Sequence, residues 1–554
     1  MASNILNIGK SALNAAQVGI SVTGHNIANA STPGYSRQVV TQAATQAQNF
    51  GYGYVGQGTT VASVDRVYNT LLHNQMVNSQ STSVGIDTYA RELSTVENML
   101  SDPTAGLNPT LNSFFSSVKA LSANASDIPS REALISNAQS LVNRFNTMGN
   151  RLAEIQTDAN TQIGGSVTTV NSLATQIARL NDIIDKAISV DGNKPNDLMD
   201  QRDNLITELS KEIKTTVVPQ GQGSYNVFIG NGMPLVVGAD TFQLTTVNSP
   251  TDSSRQEVAY LSNGNTTILG KESLVGGKLG GLVQFRSESL DKVQNQLGQI
   301  ALVMAETFNT QHNLGFDRNG VAGGDLFSIP APTAQLKTVY DDGHTPGNAV
   351  LDVTINNSAQ VLPSDYKLKY DGTNYTVTRL SDNSSFAAGT LPQTHDGLTF
   401  NISSGTIVSG DEFAVRPTRD MASSIKLLIS DPNKLAMAGS ASTGPSDNTN
   451  GLLLTKLQIA GNMKTSPDGA LVSYSASFSQ LVGSVGNKSG ELKVTGESER
   501  QVLSSAKAAV EAESGVNLDE EAANLIRYQQ AYQAAGKVMQ IASQLFDVLL
   551  TLGR

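Results

Sequence analysis

Apolar residues recur every seven positions near both ends of this chain, and no other feature so narrows what it can fold into. Near the N-terminus Leu6, Leu13, Ile20 and Ile27 keep that spacing, with Gly9, Ala16 and Thr23 in companion positions. Near the C-terminus Leu518, Leu525, Tyr532, Met539 and Phe546 keep it, with Tyr528, Ala535, Ala542 and Leu549 alongside. Seven-residue spacing lays each set on one stripe of a helix, as in a coiled-coil seam. Such stripes bury themselves against each other, against neighbouring copies, or against both. The pattern predicts binding and assembly rather than chemistry.

A chain of 554 residues exceeds one ordinary core, so roughly three or four domains are expected. Charged residues make up 15%, against about 25% in soluble proteins. A polar but weakly charged surface suits close packing between many copies, because little charge is desolvated on contact. Ordinary secreted domains share that property. The formal charge of −11, without a cluster of Lys and Arg, argues against nucleic acid. The absence of cysteine excludes thiolate metal sites, iron–sulfur clusters, a cysteine nucleophile and disulfides. Residues 2 to 30 carry Lys10 as their only cation ahead of His25 and have no continuous apolar core, so no signal peptide is expected. No apolar stretch is long enough to span a membrane. These properties alone default to the cytoplasm.

Periodicity predicts a helix from Asn4 to Ile27, stopped by Ser31-Thr32-Pro33-Gly34-Tyr35. Residues 36 to 68 read as extended loop with short hairpins, including Gly51-Tyr52-Gly53-Tyr54. Helices are expected over Leu71 to Leu100, up to Ser101-Asp102-Pro103, and over Leu107 to Ala123. Long helices follow, carrying Leu134, Leu141, Met148 and Ile155, then Val170, Ile177 and Ile184, with a start at Ser130-Arg131-Glu132 after Pro129. A further helix is expected over Asp197 to Ile213, strands over Thr215 to Leu279 and a helix over Leu282 to His312. Gly221-Gln222-Gly223 and Asn231-Gly232 punctuate those strands. Residues 328 to 419 again read as strands, with a hairpin at Tyr366 to Thr378 around Asp371-Gly372. From Ser423 helix is expected to return, with breaks, to the end. The predicted class is α+β and multidomain, with two mainly-β domains inserted into a helical rod. The expected divisions are a terminal helical domain (1–60 and 505–554), a rod (61–212, 280–327 and 420–504), and β domains at 213–279 and 328–419.

Chemistry finds little support. His25, His73, His312, His344 and His395 lie far apart with no metal-ligand spacing, and read as surface or packed side chains. Asp317-Arg318-Asn319-Gly320 opens like a calcium loop, but Ser328 holds its twelfth position, so a turn is expected. Gly276-Gly277-Lys278 fails as a phosphate loop because Glu272 and Leu279 replace required residues. Asp197, Asp200 and Asp203, with Arg202, form an acidic patch at a helix start, where acids complement the helix dipole. No catalytic residue, metal ligand or cofactor site is expected.

Two segments resemble the axial proteins of the bacterial flagellum. The first runs from Ala15-Ala16 to Asn26-Ile27-Ala28-Asn29-Ala30-Ser31-Thr32-Pro33-Gly34-Tyr35-Ser36-Arg37 and is similar to the N-terminal motif of rod, hook and hook-associated proteins. The second, Ser514-Gly515-Val516-Asn517-Leu518-Asp519-Glu520-Glu521 through Tyr528-Gln529-Gln530-Ala531-Tyr532 to Phe546, resembles their C-terminal helix. Internally, Pro195-Asn196-Asp197-Leu198-Met199-Asp200-Gln201-Arg202-Asp203, with Leu205, Leu209 and Gly280-Gly281-Leu282, resembles the first hook-associated branch at the hook–filament junction. Met199 stands where that branch has Leu.

The resemblance implies a non-enzymatic structural subunit, exported unfolded by the flagellar type III apparatus to the extracellular hook–filament junction. Its implied partners are copies of itself, hook protein, the adjacent hook-associated junction protein, and a cytoplasmic export chaperone on the C-terminal helix. It implies neither nucleic acid binding nor membrane insertion. The terminal helices would build the inner tube, with Leu6, Leu13, Ile20, Ile27, Leu518, Leu525, Tyr528, Tyr532, Met539, Phe546 and Leu549 at the assembly or chaperone interface. Tyr35 and Arg37 are assigned to the junction between terminal helix and extended segment, where simple turn packing is the other reading. Both terminal segments are expected to be partly disordered until neighbours bury their stripes. Competing readings are hook protein or flagellin, and a secreted adhesin or enzyme with its active surface on the β domains. Tyr366, Tyr370 and Tyr375 are consistent with plain strand packing there.

Overall fold

The computed structural model describes every residue except 1, 50, 52, 103–105, 222, 231, 263, 341–342 and 553–554. Tyr52, Pro103, Gln222 and Asn231 of the turn readings lie outside the described residues. Among those described, the helices are α1 (Ala2–Asn29), α2 (Thr70–Ser101), α3 (Leu107–Ala123), α4 (Ile128–Asp191), α5 (Asn196–Glu212), α6 (Gly277–Phe285), α7 (Asp291–Asn313), α8 (Met421–Ser424), α9 (Thr449–Lys456), α10 (Tyr474–Ser514) and α11 (Leu518–Leu552). The class is α+β, with long terminal helices and β-rich insertions.

The centre of the rod holds one large core in which α2, α3, the first part of α4, α7 and α10 pack around Phe114, Phe145, Phe308 and Tyr474. The strands at 215–268 form a four-stranded and a three-stranded sheet. Their core also takes in Ile163 to Ala178 of α4, Ile206 and Leu209 of α5, and Leu279 and Leu282 of α6. Apolar packing therefore runs across residue 212, where a domain division was expected. The strands at 333–416 form a five-stranded and a three-stranded sheet around Tyr366, Leu368, Val377, Phe400 and Phe413, which Leu302 and Met421 join to the rod. The hairpin expected there pairs Tyr366–Tyr370 with Tyr375–Arg379.

Three expectations about the helices change. The two repeats placed on separate long helices lie on one helix of 64 residues, because no proline or turn divides them and each half enters a different core. That helix starts at Ile128, where the Asp127 side chain accepts from the Ser130 N–H and proline fills the first turn. The segment from 425 to 473, expected to be helical, is mostly irregular: proline and glycine interrupt it, and only α9 forms within it. The helix expected at Leu282 begins at Gly277, after left-handed glycines at 276 and 277. There α6 crosses α2 so closely that a Cβ on Gly281 would stand 2.3 Å from the Gly85 carbonyl oxygen. Steric room explains the Gly280-Gly281 marker.

The sequence candidates for chemistry resolve into structural contacts. Asp317 Oδ1 accepts from the N–H groups of Asn319 and Val321 at 2.8 and 2.9 Å, which makes the expected turn. The ring of His312 is buried, sits 2.6 Å from the Gly324 carbonyl through Nδ1, and accepts from the Ala436 N–H at 2.8 Å through Nε2. That pairing requires the neutral imidazole, and burial lowers its pKa; burial lowers that of His73 as well. Both rings take up protons more readily when unfolded. Stability is therefore expected to fall as pH drops below about 6.5, the unfolded histidine value. Thermal melts between pH 7.5 and 5.5 check this, and His312→Gln should flatten the slope.

Candidate assembly site at the terminal hairpin

The helices α1 and α11 run antiparallel against each other. Gly9 meets Met539, Gly19 meets the Tyr528 ring, and Asn26 meets Glu521. A Cβ on Gly19 would lie 2.6 Å from that ring, so glycine sets the approach distance of the two helices. The buried stripe of α1 is Gly9, Ala16, Gly19, Thr23 and Asn26, and that of α11 includes Glu521, Ala535 and Ala542. The inner seam is thus lined by the small companion residues. Leu525, Tyr528 and Met539 are half-buried along it, and Leu13 and Ile20 are half-buried on α1.

Other large members of the same repeats are exposed. Leu6 is 42% exposed, Tyr532 44%, Phe546 53% and Leu518 55%, and Ile27 is also exposed. Ile526, Ile541, Leu545 and Val548 are exposed on the opposite side of α11. The side chain of Leu549 lies outside the described residues. The seam is therefore closed by its small residues, which allow closer backbone approach than Leu or Ile would, and its large residues are only partly covered.

At the end of the hairpin nearest the rod, the three sequence markers meet. Asn26 clamps the chain as it turns back: its Oδ1 accepts from the Gln38 N–H at 3.0 Å and its Nδ2 donates to the Gln38 carbonyl at 2.9 Å. The same Nδ2 donates to Glu521 at 3.1 Å. The Tyr35 hydroxyl donates to Asn26 Oδ1 at 2.7 Å and lies 3.0 Å from His25 Nδ1. Burial raises that hydroxyl's pKa, helped by the nearby carboxylates of Asp197, Asp200 and Glu521. Arg37 donates its N–H to the Ser514 carbonyl and its Nη1 to Glu520, both at 2.8 Å. Tyr35 and Arg37 thus lie between α1, the extended segment and the start of α11.

The acidic patch of α5 completes this elbow. Ser36 donates its N–H and hydroxyl to the Asp200 carboxylate, both at 2.9 Å. Arg66 reaches Asp200 and Asp203, each at 2.7 Å, with all three side chains buried. Burial alone would lower the Arg66 pKa, but Asp203 and Asp200 together raise it. Burial raises the Asp200 carboxyl, against the pull of Ser36 and Arg66. The dipole account suits only Asp197, in the first turn of α5. Asp200 and Asp203 are long-range partners. Arg202, from the same run, is fully buried in the other direction, 3.5 Å over the Tyr225 ring. Sequence reasoning missed Asn26, Ser36 and Arg66 as site residues. In a chain so poor in charge, a lone arginine beside the extended segment was the available signal.

No group of His, Asp and Glu among the described residues is arranged to hold a metal ion, and none of the described helices is long and apolar enough to cross a membrane.

Comparison with known proteins gives a concordant result. Residues 93–327 match the family model for the flagellar hook-associated protein FlgK helical domain, and residues 340–417 that for the flagellar hook-associated protein 1 D2-like domain. Flagellar hook-associated protein 1 of Escherichia coli K12 is 38% identical, covering 99% of this chain and 100% of that protein. The chain belongs to the flagellar hook-associated protein 1 family. The Salmonella typhimurium LT2 relative is 37% identical with the same coverage. A solved structure of the flagellar hook junction protein FlgK from Burkholderia pseudomallei superposes with a TM-score of 0.72 at 26% identity, over 79% of this chain and 99% of that one. Residues 6–35 match the flagella basal body rod protein model, and 509–552 the flagellar basal body rod FlgEFG protein C-terminal model. Those matches fall on α1 and α11, the partners in the hairpin. The relatives are structural flagellar proteins, which separates the chain from the hook protein, flagellin and adhesin readings.

Breaking the elbow has a calculable effect. Asp200→Ala leaves the Ser36 N–H unsatisfied and Arg66 with one buried partner, a loss of about 3 kcal/mol or more. Hydrogen exchange at residues 33–38 should accelerate by about a hundredfold, while exchange in α7 stays unchanged.

Proposed function

We propose that this structural subunit of the hook–filament junction is held in the flagellum by the outward apolar face of the α1–α11 hairpin. The observation that carries the reading is the exposure of Tyr532, Ile541, Leu545 and Phe546 on a helix already packed on α1 by its other side. Exposed apolar side chains distributed in this way around the packed stripe are costly in water and mark an interaction surface. Leu6, Ile27 and Leu518 extend the same surface, whereas Leu13, Ile20, Leu525, Tyr528 and Met539 stiffen the pair from within.

In this reading copies of the chain cover one another's hairpins, with hook protein on the proximal side and the adjacent hook-associated junction protein on the distal side. Before export, a cytoplasmic chaperone covers the apolar face of α11. The subunit is then secreted through the flagellar type III channel, and a chain without cysteine threads it free of disulfides. The role is structural and uses no catalytic residue. The strand-rich units at 213–279 and 328–419 face away from the tube that the terminal segments 1–60 and 505–554 build, with the rod between them.

The narrow seam of glycine and alanine buries little apolar area per turn, so the hairpin gains much of its order from neighbours. Amide exchange over 518–548 is expected to be fast in the free subunit and slow in assembled junctions. Equal, strong protection in both states would refute coupled ordering. A strain lacking this chain should secrete flagellin and display bare hooks; normal filaments there would sink the junction role. Tyr532→Asp should fail to restore filaments while shifting subunit stability by no more than about 0.5 kcal/mol, as for an ordinary surface change. Full restoration of motility by that variant would count against the outward face.

A further inference from the structure

The segment after α1 folds into a two-stranded ribbon, Gln38–Ala44 paired with Thr59–Arg66, which carries a small hairpin of Gln48–Asn49 and Tyr54–Val55 at its tip. From Gln38 to Val64 the sequence contains no charged residue and no proline. Exposed strands of solitary proteins normally carry such residues, which keep other chains away. This arm lacks that protection, and Tyr54 at its tip is 75% exposed.

A cleft of about 300 Å³ opens at the elbow, between the Pro33–Tyr35 loop, the start of α2, α5 and the end of α10. Pro33, Tyr35, Tyr68, Leu72, Met76 and Val510 give it apolar wall, and Asp200, Asp203, Lys507, Glu511 and Glu513 line it as well. His73 lines the same cleft, and its Nε2 is buried without a hydrogen-bond partner among the described residues.

Tip and cleft lie at opposite ends of α1. Gln38 is anchored to Asn26, whereas the Thr59 N–H donates to Ser11 Oγ at 3.3 Å, so the ribbon runs back along the helix. The helix between Ser11 and Asn26 is about 22 Å long at about 1.5 Å per residue. The tip lies beyond the first anchor and the cleft beyond the second. One copy cannot fill its own cleft with its own arm.

We propose that the arm tip of one copy, led by Tyr54, docks in the elbow cleft of a neighbouring copy, where the tyrosine ring packs on Leu72 and Met76. The proposal rests on the reading that copies assemble side by side through their terminal hairpins. The tip brings no charge of its own to be desolvated, and its amide and hydroxyl groups can meet the charged rim of the cleft. Because the two surfaces differ, the contact is heterologous and passes from copy to copy around a ring. The arm thereby couples the elbow of one subunit to the inner helix of the next.

The native chain has no cysteine, which makes disulfide trapping specific. Tyr54→Cys and Asn204→Cys, at the tip and at the cleft, are expressed as separate copies in one strain lacking the native chain. Isolated hooks with their junctions are then oxidised. A linked dimer is expected in assembled junctions, absent from free subunits and absent when either variant is expressed alone. Filaments without that dimer would overturn the arm contact and leave the junction role standing. A disulfide that forms within one copy carrying both substitutions would overturn it as well. Should the variants leave hooks bare, a subunit-resolution image of the native junction decides. The Tyr54 ring within about 4 Å of Leu72 or Met76 of the next copy supports the contact, and any other location overturns it.

Discussion

The orientation of the terminal hairpin on the rod depends on one buried arginine. Arg66 ends the extended ribbon and bonds Asp200 and Asp203 of α5, while Asp200 also takes the N–H and hydroxyl of Ser36. Ions removed from water in this way are costly unless every hydrogen-bonding position is met. The geometry is therefore specified narrowly: a small change in the angle between ribbon and rod would strand one of the charges. Ribbon, loop and α5 are locked together before the hairpin contributes anything of its own.

A second ionic cluster applies the same logic at the other junction. Asp252 bonds Arg416 at 2.5 Å, Arg255 bonds Asp291 at 3.0 Å, Arg286 bonds Glu257 at 2.6 Å, and Arg419 pairs with Asp365. These residues come from the first strand-rich unit, the rod and the second strand-rich unit. Opposite charges match in number, so the cluster is neutral while each member is tied to another segment. Apolar contacts alone tolerate sliding; paired charges of fixed geometry do not. In a charge-poor protein, buried charge is concentrated where segments distant in sequence must keep a set angle.

Much of this architecture was legible from periodicity. The extents of α1, α2, α3 and α5 follow from apolar spacing and from stops such as Pro33-Gly34, and the Tyr366 hairpin follows from its Asp-Gly turn. The fusion of two repeats into α4 was not legible, because a change of packing partner along a helix leaves no mark on its period. Nor was the irregular path from 425 to 473, whose apolar residues are satisfied by the rod core rather than by helix formation. The markers at Thr32–Arg37, Pro195–Asp203 and Ser514–Glu521 were visible as three separate resemblances. That they form a single elbow depends on contacts spanning well over a hundred residues, such as Ser36 with Asp200 and Asn26 with Glu521, which no local pattern encodes.

The terminal heptads divide between small residues that are buried and large ones that are only partly covered. Had Leu6, Ile27, Tyr532 and Phe546 been turned inward, the hairpin would be a stable pair with little apolar surface left for neighbours. Placing Gly9, Ala16, Gly19, Ala535 and Ala542 inside instead brings the backbones close while burying few methylene groups. At roughly 25 cal/mol per Å², most of the stabilisation available to these helices then lies on the outer face. That gain is realised when a neighbour covers the face. The exposed apolar side chains gain most when another surface covers them, which is what the proposed assembly role asks of this hairpin.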